Sequence, residues 1–396
     1  MSLPAYQIFE EKIAGLKKAG RYRDLKTITG PVGTTVFMDG MEMILLCSNN
    51  YLGLATHPRI KEAEASALKK YGTGACASRL ISGNMEIHEA LEEKTATFKG
   101  CQSAIIFATG YMANVGVITA LAGKGDLILS DELNHASIID GCRLSCATIS
   151  IYAHRDVDAI NSILSQHDPP DPHNRRLIIT EGIFSMDGDI APLPDILEAA
   201  KIHDAWVIVD DAHATGVLGE NGRGTAEYFH LKDDQLIQVG TFSKSLASLG
   251  GYVAGPEPVI EWLKNNSRSF IYSTALPPSI CAGSIAAIEI LESNHLIRRH
   301  LWKNIKRFRQ GLINLGFDTM GSQAQIIPIL TGDTNLTMEF AEALFEKGIY
   351  APGIRPPTVP EGKSRIRVSL MASHTYEQID RVLYVFEKVG RQLGII

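Results

Sequence analysis

The chain has 396 residues, 45% hydrophobic and 21% charged, the proportions of an ordinary globular protein, which exclude a disordered, collagen-like or low-complexity chain. Its 38 Lys and Arg against 44 Asp and Glu leave a net charge of −6 without a long like-charge block, so nothing marks it for nucleic acid or an anionic membrane. The length allows about two or three structural units and a large core.

Along the chain, Met1 to Lys18 reads as an amphipathic helix carrying Glu10, Glu11, Lys12, Lys17 and Lys18, not as the apolar core of a signal peptide. From about Ser103 to Pro256, short apolar runs alternate with helical patterns. The runs are Ala104–Ala108, Leu127–Leu129, Thr148–Tyr152, Leu177–Thr180, Trp206–Val209, Leu236–Val239 and Tyr252–Ala254. Alternation of this kind predicts βα units in a mostly parallel seven-stranded sheet, covered on both faces because the runs are continuous. After about Glu289 a long helix, strands at Ile326–Leu330 and Arg365–Leu370, and a final helix from Tyr376 predict a smaller α+β part. We divide the chain into an N-terminal segment (1–48), a large domain (49–288) and a small C-terminal domain (289–396).

Two uncharged stretches, Ala104–Gly123 and Ser269–Ile288, have the length of a membrane span. Gly110, Asn114 and Gly116 in the first and Pro277-Pro278 in the second favour buried strand–turn–helix segments or a subunit interface instead. The six cysteines are scattered without a CxxC pair, which predicts free thiols and a cytoplasmic protein.

The residues that could carry chemistry fall at predicted strand ends, where α/β sheets place their ligands. Lys244, in Gly240-Thr-Phe-Ser-Lys-Ser-Leu, follows the Leu236–Val239 run and could form a Schiff base if its surroundings favour the neutral amine. Asp210 and His213 close the run in Val209-Asp210-Asp-Ala-His213. The acid precedes Lys244 by 34 residues, about one strand–helix–strand unit, so the two can face each other across a pocket. That pairing suits pyridoxal phosphate, whose aldehyde takes a lysine and whose pyridine nitrogen needs an acid. A metal site from Asp210, Asp211 and His213 competes, but a further ligand at a recognisable spacing is missing and no metal is expected.

Gly110 and Tyr111 open a helix after the Ala104–Ala108 run and offer backbone N–H groups to a phosphate; Thr241 and Ser243 flank the lysine with hydroxyls. His135 follows the Leu127–Leu129 run, and Ser185 sits in Glu181-Gly-Ile-Phe-Ser185-Met-Asp-Gly. By contrast, Gly72-Thr-Gly74-Ala-Cys-Ala77 follows the helical pattern Arg59–Lys70 and is no dinucleotide fingerprint, which needs a strand first.

Taken together, Thr-Glu-Gly-Ile-Phe-Ser-Met-Asp-Gly, Val-Asp-Asp-Ala-His, Gly-Thr-Phe-Ser-Lys and Ser48-Asn49-Asn50-Tyr51-Leu52-Gly53-Leu54 resemble the α-oxoamine synthases, a branch of the fold-type I pyridoxal-phosphate enzymes. The likeness runs from Ser48 to His374. It implies Lys244 as the Schiff-base lysine and general base, Asp210 on the pyridine nitrogen, His213 and Ser185 on the ring oxygen, and His135 stacked on the ring. Gly110, Tyr111 and Thr241 would hold the cofactor, which places it in the large domain. It further implies a homodimer with shared active sites, in which Ser273 and Thr274 reach the neighbouring subunit's phosphate.

Within that family, Arg355-Pro-Pro-Thr358-Val-Pro resembles members that condense L-alanine with a pimeloyl thioester, carried by coenzyme A or an acyl carrier protein, with loss of carbon dioxide. Arg355 and Thr358 would then border the acyl site, with Arg23 a further candidate. We assign the amino-acid carboxylate to Arg367 and Asn49, because a guanidinium can clamp a carboxylate with two hydrogen bonds. Members that take glycine or serine, and a noncatalytic regulatory subunit, are the alternatives.

Overall fold

The protein's structure is a computed structural model that describes residues 6–18, 21–166 and 174–396. Gln7–Lys18 is a helix with no buried residue, as its amphipathic sequence predicts; Met1–Ala5 lies outside the described residues. Seven strands form one sheet in the order Ser103–Phe107, Gly251–Gly255, Leu236–Thr241, Trp206–Asp210, Arg176–Glu181, Leu127–Asp131, Thr148–Tyr152. Each predicted run falls on one of them, with boundaries agreeing to within two residues; Ala108 of the first run lies just beyond its strand.

Only Gly251–Gly255 runs against its two neighbours; the other pairs are parallel. Both faces of the central strands are covered, since successive side chains point to opposite sides. Val207 and Val209 enter a core with Ile178, Ile196 and Leu197, while Ile208 joins Ile105, Phe107, Val117 and Ile118 on the other face. The edge strand departs from the fully covered expectation: Ile151 is 69% exposed, because none of the described residues covers its outer side.

Toward the C-terminus, Ile326–Gly332, Ser364–Ser369 and Gly353–Ile354 pair antiparallel, with Phe308, Phe317, Phe340 and Phe386 packed ring against ring. One continuous core joins these rings to Tyr252 and Phe242 of the large sheet region. A further four-stranded sheet, which the sequence reading missed, is built from Ile28–Thr29, Thr35–Met38, Met41–Leu45 and Ile349–Tyr350. Its hairpin turns at Asp39-Gly40, both at positive φ, and that dipeptide between apolar residues was a readable hairpin signal. Among the described residues no single helix is long and apolar enough to cross a membrane.

Candidate active site

Parallel strands deliver their carboxyl ends to one edge of the sheet. Four polar residues stand there: Asp131, Glu181, Asp210 and Thr241 each close their strand. At the same edge the helix Gly110–Leu121 begins, capped by the Thr109 hydroxyl, which accepts from the N–H of Met112 at 3.1 Å. A cavity of about 250 Å³ opens among them, lined by Gly110, Tyr111, Asn114, His135, Glu181, Asp210, His213, Thr241 and Lys244. Residues spread over more than 130 positions of sequence thus meet at one place, because the sheet sets them side by side.

Lys244 Nζ lies 2.8 Å from His213 Nε2, and His213 Nδ1 lies 2.7 Å from the Tyr51 hydroxyl. Tyr51 in turn donates to Asn49 Oδ1 at 2.9 Å. Burial, reinforced by Lys244 and Arg367, holds the His213 imidazole well below its usual pKa of 6.5. A neutral ring that accepts from Lys244 at Nε2 carries its proton on Nδ1 and donates it to Tyr51. Lys244 itself is brought from 10.5 to about 8, because burial and the Arg367 charge outweigh the carboxylates of Asp210 and Glu181. An amine with that value has a far larger neutral fraction near physiological pH than an ordinary lysine, and the neutral form is the one that attacks a carbonyl group.

Asp210 is fixed by its neighbours: Asn114 Nδ2 donates to Oδ2 at 2.7 Å and the N–H of Ala212 donates to Oδ1 at 2.8 Å. Asn114 also donates to Ser137 Oγ at 2.9 Å, and Ser137 lies 2.8 Å from His135 Nδ1. Asp211 points the other way, fully buried against Lys99 at 2.8 Å and Thr225 Oγ1 at 2.6 Å. Successive strand-end residues face opposite sides, so Asp210, Asp211 and His213 do not converge on a metal.

Of the other predicted residues, Thr241 donates to the Gly250 carbonyl at 2.6 Å and lies 2.6 Å from Ser243 Oγ. A side chain at Gly110 would meet Thr241 at 3.3 Å, so glycine keeps that edge of the cavity open. Tyr111 lines the cavity, and its hydroxyl donates to Asp140. Arg367 is buried, donating Nε to the Ser185 carbonyl at 2.6 Å and Nη1 to Ser369 Oγ at 2.9 Å, close enough to lower the pKa values of Lys244 and His213. Ser185 is thereby held beside the cavity without lining it.

Several predicted residues stand elsewhere. Arg355 donates to the Tyr22 carbonyl at 3.0 Å and contacts Met338, Arg23 is exposed, and Thr358 borders an adjacent cavity of about 480 Å³ with Asn134, Phe184 and Met186. Ser273 and Thr274 line a small cleft with Arg79 and His88, apart from the Lys244 cavity of their own chain. The sequence reading gave no role to Glu181, Asn114 or Tyr51. Glu181 ends an apolar strand as Asp210 does, and Asn114 sits one helical turn after Gly110, so both had a positional signal.

The cavity suits a group bearing an aldehyde, a protonatable ring nitrogen and a phosphate. It offers a low-pKa amine, a fixed carboxylate and the N-terminal end of a helix, and it leaves Asn114 Oδ1 and Glu181 Oε1 buried without partners. Fold and site together define a fold-type I pyridoxal-phosphate-dependent acyltransferase. The chain belongs to the aminotransferase class I and II family, which matches residues 41–386. It is 50% identical over 395 residues to the 8-amino-7-oxononanoate synthase of Thermoanaerobacter pseudethanolicus, covering 100% of both chains. To the enzyme of that name from Geobacter sulfurreducens it is 48% identical, over 96% of this chain and 97% of the relative. Among solved structures, a serine palmitoyltransferase from Sphingomonas wittichii superimposes with a TM-score of 0.92 at 35% identity, over 100% of both chains. The 8-amino-7-oxononanoate synthase of Francisella tularensis matches with a TM-score of 0.77 at 31% identity, over 89% of this chain and 99% of that one.

Proposed function

We propose that the chain condenses L-alanine with a pimeloyl thioester, releasing carbon dioxide and the free thiol carrier, to give 8-amino-7-oxononanoate for biotin biosynthesis. The observation that carries the chemistry is the Lys244 amine, tuned to about 8 in a cavity that also holds Asp210. Relatives of that name at 45–50% identity over nearly their full length support the substrate pair. In this reading Lys244 takes the cofactor's aldehyde, Asp210 faces its ring nitrogen, His135 stacks on the ring with Ser185 and His213 near the ring oxygen, and Gly110, Tyr111 and Thr241 receive the phosphate. Bound pyridoxal phosphate supplies an electron sink for a carbanion at the amino-acid Cα.

The chain's own groups do the rest. Released when the alanine amine takes its place on the aldehyde, Lys244 Nζ would remove the Cα proton as general base, and His213 Nε2, 2.8 Å away, keeps the amine aimed. The guanidinium of Arg367 and the Asn49 amide hold the alanine carboxylate, and the cavity beside Thr358 admits the acyl chain, with Arg355 and Arg23 toward its carrier. Coenzyme A or an acyl carrier protein presents that chain. The reaction runs in the cytoplasm, in keeping with six free cysteines.

Titrating the loaded enzyme with alanine, glycine and serine by absorbance, then weighing the product formed with a pimeloyl thioester, tests the reading. We expect alanine to be preferred. Arg367→Ala should raise half-saturating alanine about ten- to a hundredfold, the worth of a charge-assisted pair, while Thr358→Ala leaves that titration unchanged and slows the acyl step. Preference for glycine or serine would remove the substrate assignment and leave the site chemistry standing.

A further inference from the structure

His154 plays no part in the site as described, yet it lies between the two loops that frame it. Its Nδ1 is 3.0 Å from Asp131 Oδ1 and its Nε2 is 2.8 Å from Asp189 Oδ2. Both ring nitrogens therefore point at carboxylates, and only the doubly protonated ring donates to both. Asp131 ends its strand and accepts from the N–H groups of Leu133 and Arg155 at 2.9 Å each, fixing the turn that leads to His135. Asp189 closes the turn that carries Ser185: its carbonyl accepts from the N–H of Phe184 at 3.1 Å. The Phe184 ring meets the His154 ring edge-on, 4.4 Å between centroids. Ser185, held between these contacts, gives its carbonyl to Arg367.

We propose that His154 is a positioning residue, an imidazolium clasp that ties the His135 turn to the Ser185 turn and through the latter aims Arg367 at the amino-acid carboxylate. The proposal rests on the assignment of Arg367 made above. The charge balance supports it: two buried carboxylates face His154, Arg155 reaches Asp189 at 3.3 Å from a partly exposed position, and Glu132 accepts from the backbone N–H of His154 at 2.9 Å. Without the imidazolium, Asp131 has no side-chain cation among the described residues. Arg155 itself is held at φ 60, an unfavoured conformation for a residue with a side chain, which its bonds to Asp131 and Asp189 maintain.

The clasp carries a pH signature. Burial lowers the His154 pKa, but the hydrogen bonds to Asp131 and Asp189 outweigh it and raise the value from 6.5 to about 9. A raised folded-state value means that the tie is complete below the unfolded value and is lost as pH rises through about 9.

The test uses the loaded holoenzyme with His154→Phe and His154→Gln, titrated by absorbance with whichever of alanine, glycine or serine the wild type binds. All three carry the same carboxylate, so a failed substrate assignment leaves the clasp measurable. We expect half-saturation to rise about two- to thirtyfold in His154→Phe at neutral pH, the range for residues acting through their neighbours. His154→Gln, which keeps amide donors without the charge, should fall between. The gap between wild type and His154→Phe should close above about pH 9. A His154→Phe protein that melts at lower temperature but keeps wild-type half-saturation would overturn the proposal, and so would a gap that stays constant with pH.

Discussion

At the residue scale, the groups to which we assign the chemistry are held in states they would not choose in water. Lys244 is the clearest case. Burial lowers its pKa from 10.5 to about 8, and a shift of that size corresponds to about 3 kcal/mol against the charged form. The unfolded chain keeps its proton up to the ordinary value, so unfolding takes up a proton between about 8 and 10.5. Stability therefore rises with pH across that window, and the amine costs most below it. Lys244→Met, without cofactor, should be more stable than wild type at neutral pH, and the gain should fade as pH rises through that window. Thermal unfolding of the cofactor-free proteins reads this directly, and a variant less stable than wild type at neutral pH would contradict it. Stability lost for reactivity is a common feature of active sites.

At the scale of elements, a turn is as constrained as the strands it joins. Gly188, in the turn that carries Ser185, has φ 71, and a Cβ there would lie 1.9 Å from the Ile326 carbonyl oxygen. Its own N–H donates to the Phe184 carbonyl at 2.9 Å, and its carbonyl accepts from the N–H of Gln323 at 2.9 Å. An added methyl group must therefore push the Ser185 turn away from the Ile326–Gly332 strand. Gly40 has a similar φ of 78 but nothing within 4 Å of its would-be Cβ. Gly40→Ala should cost only backbone strain, about 1 kcal/mol, whereas Gly188→Ala should cost about 3 kcal/mol or more. Gly188→Ala should also weaken alanine binding, which Gly40→Ala should not. Equal losses of melting temperature in the two variants would show that the close approach at Ile326 is not what demands glycine.

At the scale of the whole molecule, one chain leaves large apolar side chains bare near the small cleft that Ser273 and Thr274 line. Ile81 is 81% exposed and Tyr272 72% exposed, and a bridge between Ser78 and Thr274 sets their segments side by side. Large side chains left bare beside a cleft mark a contact surface. A second copy of the chain would cover them and could bring Ser273 and Thr274 to the other protomer's phosphate site, as the family resemblance implies. Sedimentation should show a homodimer at micromolar concentration, and Ile81→Arg with Tyr272→Glu should yield monomers that bind pyridoxal phosphate more weakly. A wild-type monomer with full activity would rule out a shared site.

Much of this was legible in the sequence because local rules carry it. Continuous apolar runs mark strands covered on both faces, and a residue that follows such a run stands at a carboxyl edge whatever lies around it; Lys244, Asp210 and His135 were found in this way. The Asp39-Gly40 hairpin and Glu181 carried the same kind of signal and were passed over. Distance along the chain hides the rest. Alternation along the strand sends Asp210 and Asp211 to opposite sides, but what each meets there is set by distant segments: Lys99, 112 residues away, pairs with Asp211. The low pKa of Lys244 depends on burial by many segments at once, and His154 shows its role only when Asp131 and Asp189 are brought to its two nitrogens. Sequence alone determined where along the chain the seven strands of the large sheet fall and the chemical types at their ends, because those follow from nearest-neighbour periodicity. Only the tertiary structure decided which side chains meet, and with what charge, because electrostatics and burial act through space.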